Sequence, residues 1–126
     1  MPTTTITEAD LTGTIRDHDI VLLDFWAAWC GPCRAFAPVF ERAAEQHPDI
    51  VFGKVDTEAE RGLAAAFRIT SIPTLMVFRD GIIVFAQPGA LNAAQLDQVI
   101  TGVRELDMDA VRAEVESARA EREQTA

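Results

Sequence analysis

The run IVLLDFW, from Ile20 to Trp26, constrains the fold of this chain more than any other stretch. It is apolar at nearly every position instead of at alternate ones, the pattern of a central strand covered on both faces. A strand of that kind needs helices on each side, so an α/β layered structure is expected. Its one polar residue, Asp24, has two apolar neighbours on each side and is expected to be buried.

The rest of the chain alternates between helical and strand patterns. Thr7 offers a hydroxyl cap with Asp10 three residues on, and Leu11 and Ile15 follow at helical spacing, predicting a helix over Thr7 to Asp17. Phe36, Val39, Phe40 and Ala43 keep a helical period from Cys30 to Gln46, with Pro38 inside expected to bend the helix without breaking it. Ile50 to Val55 reads as a strand, Glu58 to Phe67 as a helix, and Thr74 to Phe78 as a further strand. Asp80-Gly81 then predicts a hairpin into Ile82 to Phe85. Asn92 is placed to cap a helix carrying Leu96, Val99, Ile100 and Val103. With a first edge strand over Thr3 to Ile6, the expectation is a central mixed β-sheet of four to five strands flanked by helices.

From Asp107 onward the chain turns rich in Ala, Glu and Arg, with Met108, Val111, Val115 and Ala118 at helical spacing and Asp109 as the expected cap. The expected organisation is a domain over residues 1–106 and a C-terminal helical extension over 107–126. Arg112/Glu116 and Arg119/Glu123 are its i, i+4 pairs, in the weaker order. A solvated helix packed lightly on the domain and a partner-binding helix are both compatible with this pattern.

Composition bounds the function. A chain of 126 residues with 48% apolar and 25% charged residues suits one globular domain, and no apolar run approaches the roughly 20 residues that span a bilayer. The net charge of −9 argues against nucleic-acid or anionic-membrane partners, which need a basic surface. The opening MPTTTITEADL has no cationic stretch followed by an apolar core, so the cytoplasm is the expected compartment.

The only two cysteines, Cys30 and Cys33, stand in WCGPC between the buried strand and the following helix. Structural zinc needs four ligands, and only His18 and His47 accompany them, without metal-ligand spacing; no metal is expected. A bridge closing so short a loop removes little entropy from the unfolded chain, so it is a poor staple. A redox-reactive pair remains, and Cys-x-x-Cys near a βαβ pattern is a known sign of one. If the pair opens the helix, the free N–H groups and the macrodipole stabilise a thiolate on Cys30, the expected attacking residue. Cys33, one turn deeper, is expected to resolve the mixed disulfide while shielded from outside thiols. Gly31 lets the backbone pass close to a substrate, and Pro32 rigidifies the first turn where a missing N–H costs nothing.

On these residues the chain resembles the thioredoxin family, over roughly residues 5–106. WCGPC matches the family's active-site motif. Asp24 falls on its buried aspartate, Pro38 on its helix-kinking proline, Pro73 in SIPTLMVF on its cis-proline, and Gly81 and Gly89 on its two glycines around the last strand. The resemblance implies the thioredoxin fold and reduction of protein disulfides. It also implies re-reduction by a flavoprotein thioredoxin reductase drawing on NADPH, with no cofactor held by the chain itself. Trp29, Ile72, Pro73, Gly89 and Ala90 would line the substrate groove, and Lys54 would lie close to Asp24. Two departures stand out: Pro88 precedes Gly89 where the family usually carries a residue with a backbone donor, and the tail after Asp107 has no counterpart.

A buried Asp24 would have a raised pKa and accept the proton of Cys33. Lys54, the only lysine, also suits a strand lysine snorkelling to solvent. Trp26 is expected in the core, whereas Trp29, beside the thiol, is expected to shield the site or touch a ligand. The expected partners are thioredoxin reductase and disulfide-containing client proteins, and the expected state is a monomer. An oxidant or isomerase on the same fold, a binding module or co-chaperone working through the tail helix, and a scaffold without turnover are the alternatives.

Overall fold

The computed structural model describes residues 2–125. Met1 and Ala126, the outer ends of the expected domain and extension, lie outside the described residues. In chain order the elements are β1 (Thr3–Thr5), α1 (Glu8–Asp17), β2 (Ile20–Trp26), α2 (Gly31–Gln46), β3 (Val51–Asp56), α3 (Arg61–Ala66), β4 (Thr74–Arg79), β5 (Ile82–Pro88), α4 (Ala93–Arg104) and α5 (Met108–Thr125).

The strands form one five-stranded mixed sheet in the order β1-β3-β2-β4-β5. β3 runs parallel to both β1 and β2, while β4 is antiparallel to β2 and to β5. The apolar run Ile20–Trp26 is the central strand, as its unbroken hydrophobicity requires. Ile20 and Leu22 face a core completed by Phe36 and Phe40 of α2 and by Leu96, Ile100 and Val103 of α4. Val21, Leu23 and Phe25 face a second core with Leu11 of α1 and Leu63 of α3. The strand's two-residue period puts Asp24 on the α2 side, in register with Lys54 of β3 and Leu75 of β4.

Local chemistry sets the boundaries. Asp10 accepts from the Thr7 hydroxyl at 2.8 Å at the start of α1, and Asn92 exchanges two bonds with Gln95 at the start of α4. α2 runs on through Pro38. Asp80 and Gly81 have φ of 51° and 79°, the left-handed pair that a two-residue hairpin turn requires.

Several elements differ from expectation. α3 begins at Arg61 because Asp56 folds the chain first: its carboxylate accepts from Glu58 N–H at 2.9 Å and its carbonyl from Glu60 N–H at 2.8 Å. α3 ends by Phe67 as Arg68 turns left-handed at φ 54° and Ile69 N–H reaches back to the Ala64 carbonyl at 2.9 Å. β5 extends three residues past Phe85, with a register shift opposite Val77/Phe78, and ends on Pro88, tolerated because β5 is an edge strand. Asp107, not Asp109, caps α5, accepting from Asp109 and Ala110 N–H at 3.1 and 3.2 Å. Arg112 pairs with Asp80 at 3.3 Å and Asp109 at 2.7 Å instead of with Glu116.

Candidate active site

At the C-terminal end of β2 the chain leaves the sheet and enters α2 through Ala27, Ala28 and Trp29. Cys30 is the N-cap of α2, with extended backbone, and Pro32 occupies the first turn. The two cysteines are disulfide-bonded, with Cα atoms 5.2 Å apart. Cys33 N–H points at Cys30 Sγ from 3.2 Å, so one of the helix's unpaired donors is already aimed at the sulfur that would carry charge after reduction. The Ile72 carbonyl oxygen lies 3.6 Å from the same sulfur. In this oxidised form each cysteine is 4% exposed, so the expected contrast in accessibility is not present; what distinguishes them is the helix-end donor at Cys30.

The rim is open and mostly uncharged. Gly31 and Pro32 are exposed, and a Cβ on Gly31 would meet nothing nearer than Arg34 Nη2 at 3.9 Å, so no contact within the protein requires a glycine there. Trp29 is 68% exposed and is no core residue; its indole N–H donates to Glu58 Oε1 at 3.1 Å. Across the cleft the Ile72–Pro73 bond is cis, with Ile72 half-buried and Pro73 buried. Gly89, at φ 109°, donates its N–H to the Pro73 carbonyl at 2.8 Å and is followed by exposed Ala90. Only glycine adopts that backbone readily. Pro88 pairs across from Thr74 at the end of β5, next to the bonded Pro73–Gly89 pair, so an N–H at this position would point away from β4 and its absence leaves that ladder intact.

Beneath this surface Asp24 is 1% exposed, and neither carboxylate oxygen has a hydrogen-bond partner among the described residues. Burial pushes its pKa up to about 6, with Lys54 pulling part of the way back. Lys54 does not bridge to it within salt-bridge distance; its Nζ sits 5.1 Å from the centroid of the Trp26 ring. Trp26 is only partly buried, and its indole nitrogen has no partner among the described residues.

The structure therefore brings Trp29, Cys30, Gly31, Pro32, Cys33, Ile72, Pro73 and Gly89 to one end of the sheet, with Asp24 and Lys54 on the strand face that α2 covers. Two residues escape the sequence pattern. Glu58 holds Trp29 from 29 positions away, which no local signal could show. Arg34 donates to the Ala28 carbonyl at 2.9 Å; the only hint is a cation in the first turn of a helix, where an acid is the favoured charge. His18 and His47 end α1 and α2, and no group of three potential metal ligands occurs among the described residues. A groove of 470 Å³ between β5 and α4 does not reach the cysteines.

Comparison with known proteins agrees with this geometry. The thioredoxin family profile matches residues 2–102. A Streptomyces coelicolor protein assigned as thioredoxin 2 is 56% identical over 119 residues, covering 94% of this chain and 89% of that one. That match runs into the tail, which therefore has a counterpart there, contrary to expectation. Thioredoxin C-3 of Corynebacterium nephridii is 44% identical over 94 residues, covering 74% of this chain and 65% of its own length. Among solved structures, a mutant thioredoxin from Halobacterium salinarum NRC-1 superposes with a TM-score of 0.77 at 34% identity, covering 83% of this chain and 94% of that one.

Proposed function

This chain belongs to the thioredoxin family, and from that premise we propose the two-step route by which it reduces protein disulfides. It is a thiol–disulfide oxidoreductase. In the reduced protein the Cys30 thiolate attacks one sulfur of a client disulfide; the S–S bond breaks, and the other client sulfur leaves as a thiolate that takes a proton. Asp24, as a carboxylate, receives the proton of Cys33, whose thiolate attacks Cys30 Sγ and expels the second client sulfur. Two electrons have passed to the client, and the chain is left with the Cys30–Cys33 bridge. Thioredoxin reductase, drawing on NADPH, returns the pair to the dithiol.

Client recognition follows from the rim. An extended segment lies along Ile72 and Pro73 like an added strand, between Trp29, Gly31 and Pro32 on one side and Gly89 and Ala90 on the other. Uncharged walls and backbone contacts suit a broad set of clients. Lys54 supports the site by moderating the charge cost of ionised Asp24. Residues 1–106 form the catalytic domain and 107–126 an extension outside the chemistry. No helix among the described residues is long and apolar enough to cross a membrane, and a dithiol reductant working as a monomer in the cytoplasm fits a compartment that keeps thiols reduced.

The observation that carries this mechanism is the Cys33 N–H aimed at Cys30 Sγ at the start of α2, beside the Ile72 carbonyl. Cys33→Ser is expected to accumulate covalent complexes with client proteins from a cell extract, because nothing resolves them, while Cys30→Ser traps few. Equal capture by the two variants would show that either thiol starts the reaction.

A further inference from the structure

We propose that Arg68 gives this chain a graded preference among clients: it meets an acidic side chain within about four residues of the client cysteine, on the flank of the segment that runs past Ser71. This rests on the client groove proposed along Ile72 and Pro73. Behind that cis bond lies a separate concavity of 160 Å³, which the redox pair does not line. Its floor is Phe67 and Ile69 after α3, Met76 of β4 and Ala86 of β5. Ser71, Thr74 and Pro88 form the side nearest the groove, since Ser71 precedes Ile72, Thr74 follows Pro73, and Pro88 precedes the Gly89 that is bonded to Pro73. The Thr74 hydroxyl donates to the Ser71 carbonyl and closes the loop around the cis bond. Thr70, Ser71, Ala86, Gln87 and Pro88 are exposed, so an extended segment lying on Ile72 continues without obstruction over Ser71 and Thr70 to this cavity.

Arg68 is exposed, lines the same cavity, and has φ of 54°. That left-handed turn ends α3 and is adopted most readily by glycine or asparagine, so the backbone does not call for an arginine. The carbonyl end of α3 favours a cation, and the charge is therefore stable there without a carboxylate. None lies within 4.0 Å of the guanidinium among the described residues. Arg34 is turned to the Ala28 carbonyl and Lys54 lies over Trp26, whereas Arg68 keeps its forked donors for a group from outside. On a chain of net charge −9 this is a local exception, complementary to a carboxylate. Arg68 stands four positions before Ile72, at most about 14 Å of chain, a span that a client strand covers in about four residues.

The test uses symmetric disulfide dimers of acetylated, amidated peptides. Each half carries one cysteine, with Asp on one flank and Lys on the other about two to four residues away, and a mirror peptide has the two charges exchanged. Composition and net charge are the same within each pair, so the field of the acidic chain as a whole cancels. Reduced full-length chain and its Arg68→Asn and Arg68→Glu variants are mixed with each dimer and quenched in acid, and the released peptide thiol is measured by mass spectrometry. The parent is expected to reduce one order of charges about three- to fivefold faster than its mirror at low salt, with the difference shrinking in about 0.5 M salt. Arg68→Asn, which accepts the left-handed backbone, brings the ratio to within about twofold of unity, and Arg68→Glu takes it below unity. Should Arg68→Glu fail to fold, the Asn variant decides alone. Equal rates for the mirror pairs in the parent, or a preference that Arg68→Asn leaves untouched, overturn the role given to Arg68. If the parent reduces none of the dimers, or Cys30→Ser reduces them as fast as the parent, the reading of the groove and its nucleophile fails instead.

Discussion

Asp24 shows how one residue can be costly to the fold and useful to the reaction. Its pKa in the folded protein, about 6, lies above the usual carboxylate value of 3.8, so the folded state holds the proton more tightly than the unfolded chain. That contribution to stability is fully present below about pH 4 and is lost as pH rises through about 6, a swing on the order of 3 kcal/mol. Asp24→Asn is therefore expected to be more stable than the parent by roughly 1–3 kcal/mol at pH 8, with the two converging below pH 4 in urea unfolding at each pH. The same variant resolves mixed disulfides more slowly at neutral pH; an unchanged turnover from pH 6 to 8 would remove the carboxylate from the mechanism. The burial of Asp24 was legible because a central strand covered on both faces leaves a lone acid in its middle no route to solvent. The partners of Trp29 and Ala28 were not, because the Glu58 and Arg34 contacts are made by long side chains whose direction the local pattern does not encode.

Among the elements, β3 carries the tightest constraint. A Cβ on Gly53 would stand 2.6 Å from Ile6 Cγ1 and 3.0 Å from Leu23 Cδ2, closer than real side chains pack. Ile6, 2% exposed just beyond β1, occupies the space the glycine leaves. Gly53→Ala is expected to cost about 1–3 kcal/mol in thermal unfolding through overpacking, and much less than that when it is made in an Ile6→Ala background. Equal costs in the two backgrounds would show that the backbone, not Ile6, resists the methyl group. Strand and helix identities followed from hydrophobic period, since each buried face repeats at 2.0 or 3.6 residues. Boundaries followed less well: the start of α3 depends on the Asp56 turn, and the cap of α5 on which of two aspartates the chain bends toward. Both are choices between near-equivalent hydrogen bonds.

In the whole molecule the sheet keeps the redox pair at one end and the tail helix elsewhere. α5 is anchored by buried Met108, by the Arg112–Asp80 pair on the hairpin turn, and by Arg79, whose Nη1 donates to the Val103 and Leu106 carbonyls at 2.7 and 3.0 Å where α4 gives way to α5. Beyond these it is largely exposed. Removing residues 107–126 is expected to lower stability by about 2 kcal/mol, the cost of uncovering the Met108 contact, and to leave insulin disulfide reduction unchanged. Loss of that reduction would make the tail part of the catalytic unit, whereas loss of partner binding alone would favour a docking role. Lys54 has a separate consequence. As the chain's only lysine, partly buried over Trp26 and in register with Asp24, it is the single side-chain amine that an acylating reagent can meet. A reporter group attached there would sit at one known address beside the buried acid, and because the α-amino group titrates well below a lysine amine, labelling at two pH values separates the two amines in place of the usual mixture of lysine positions.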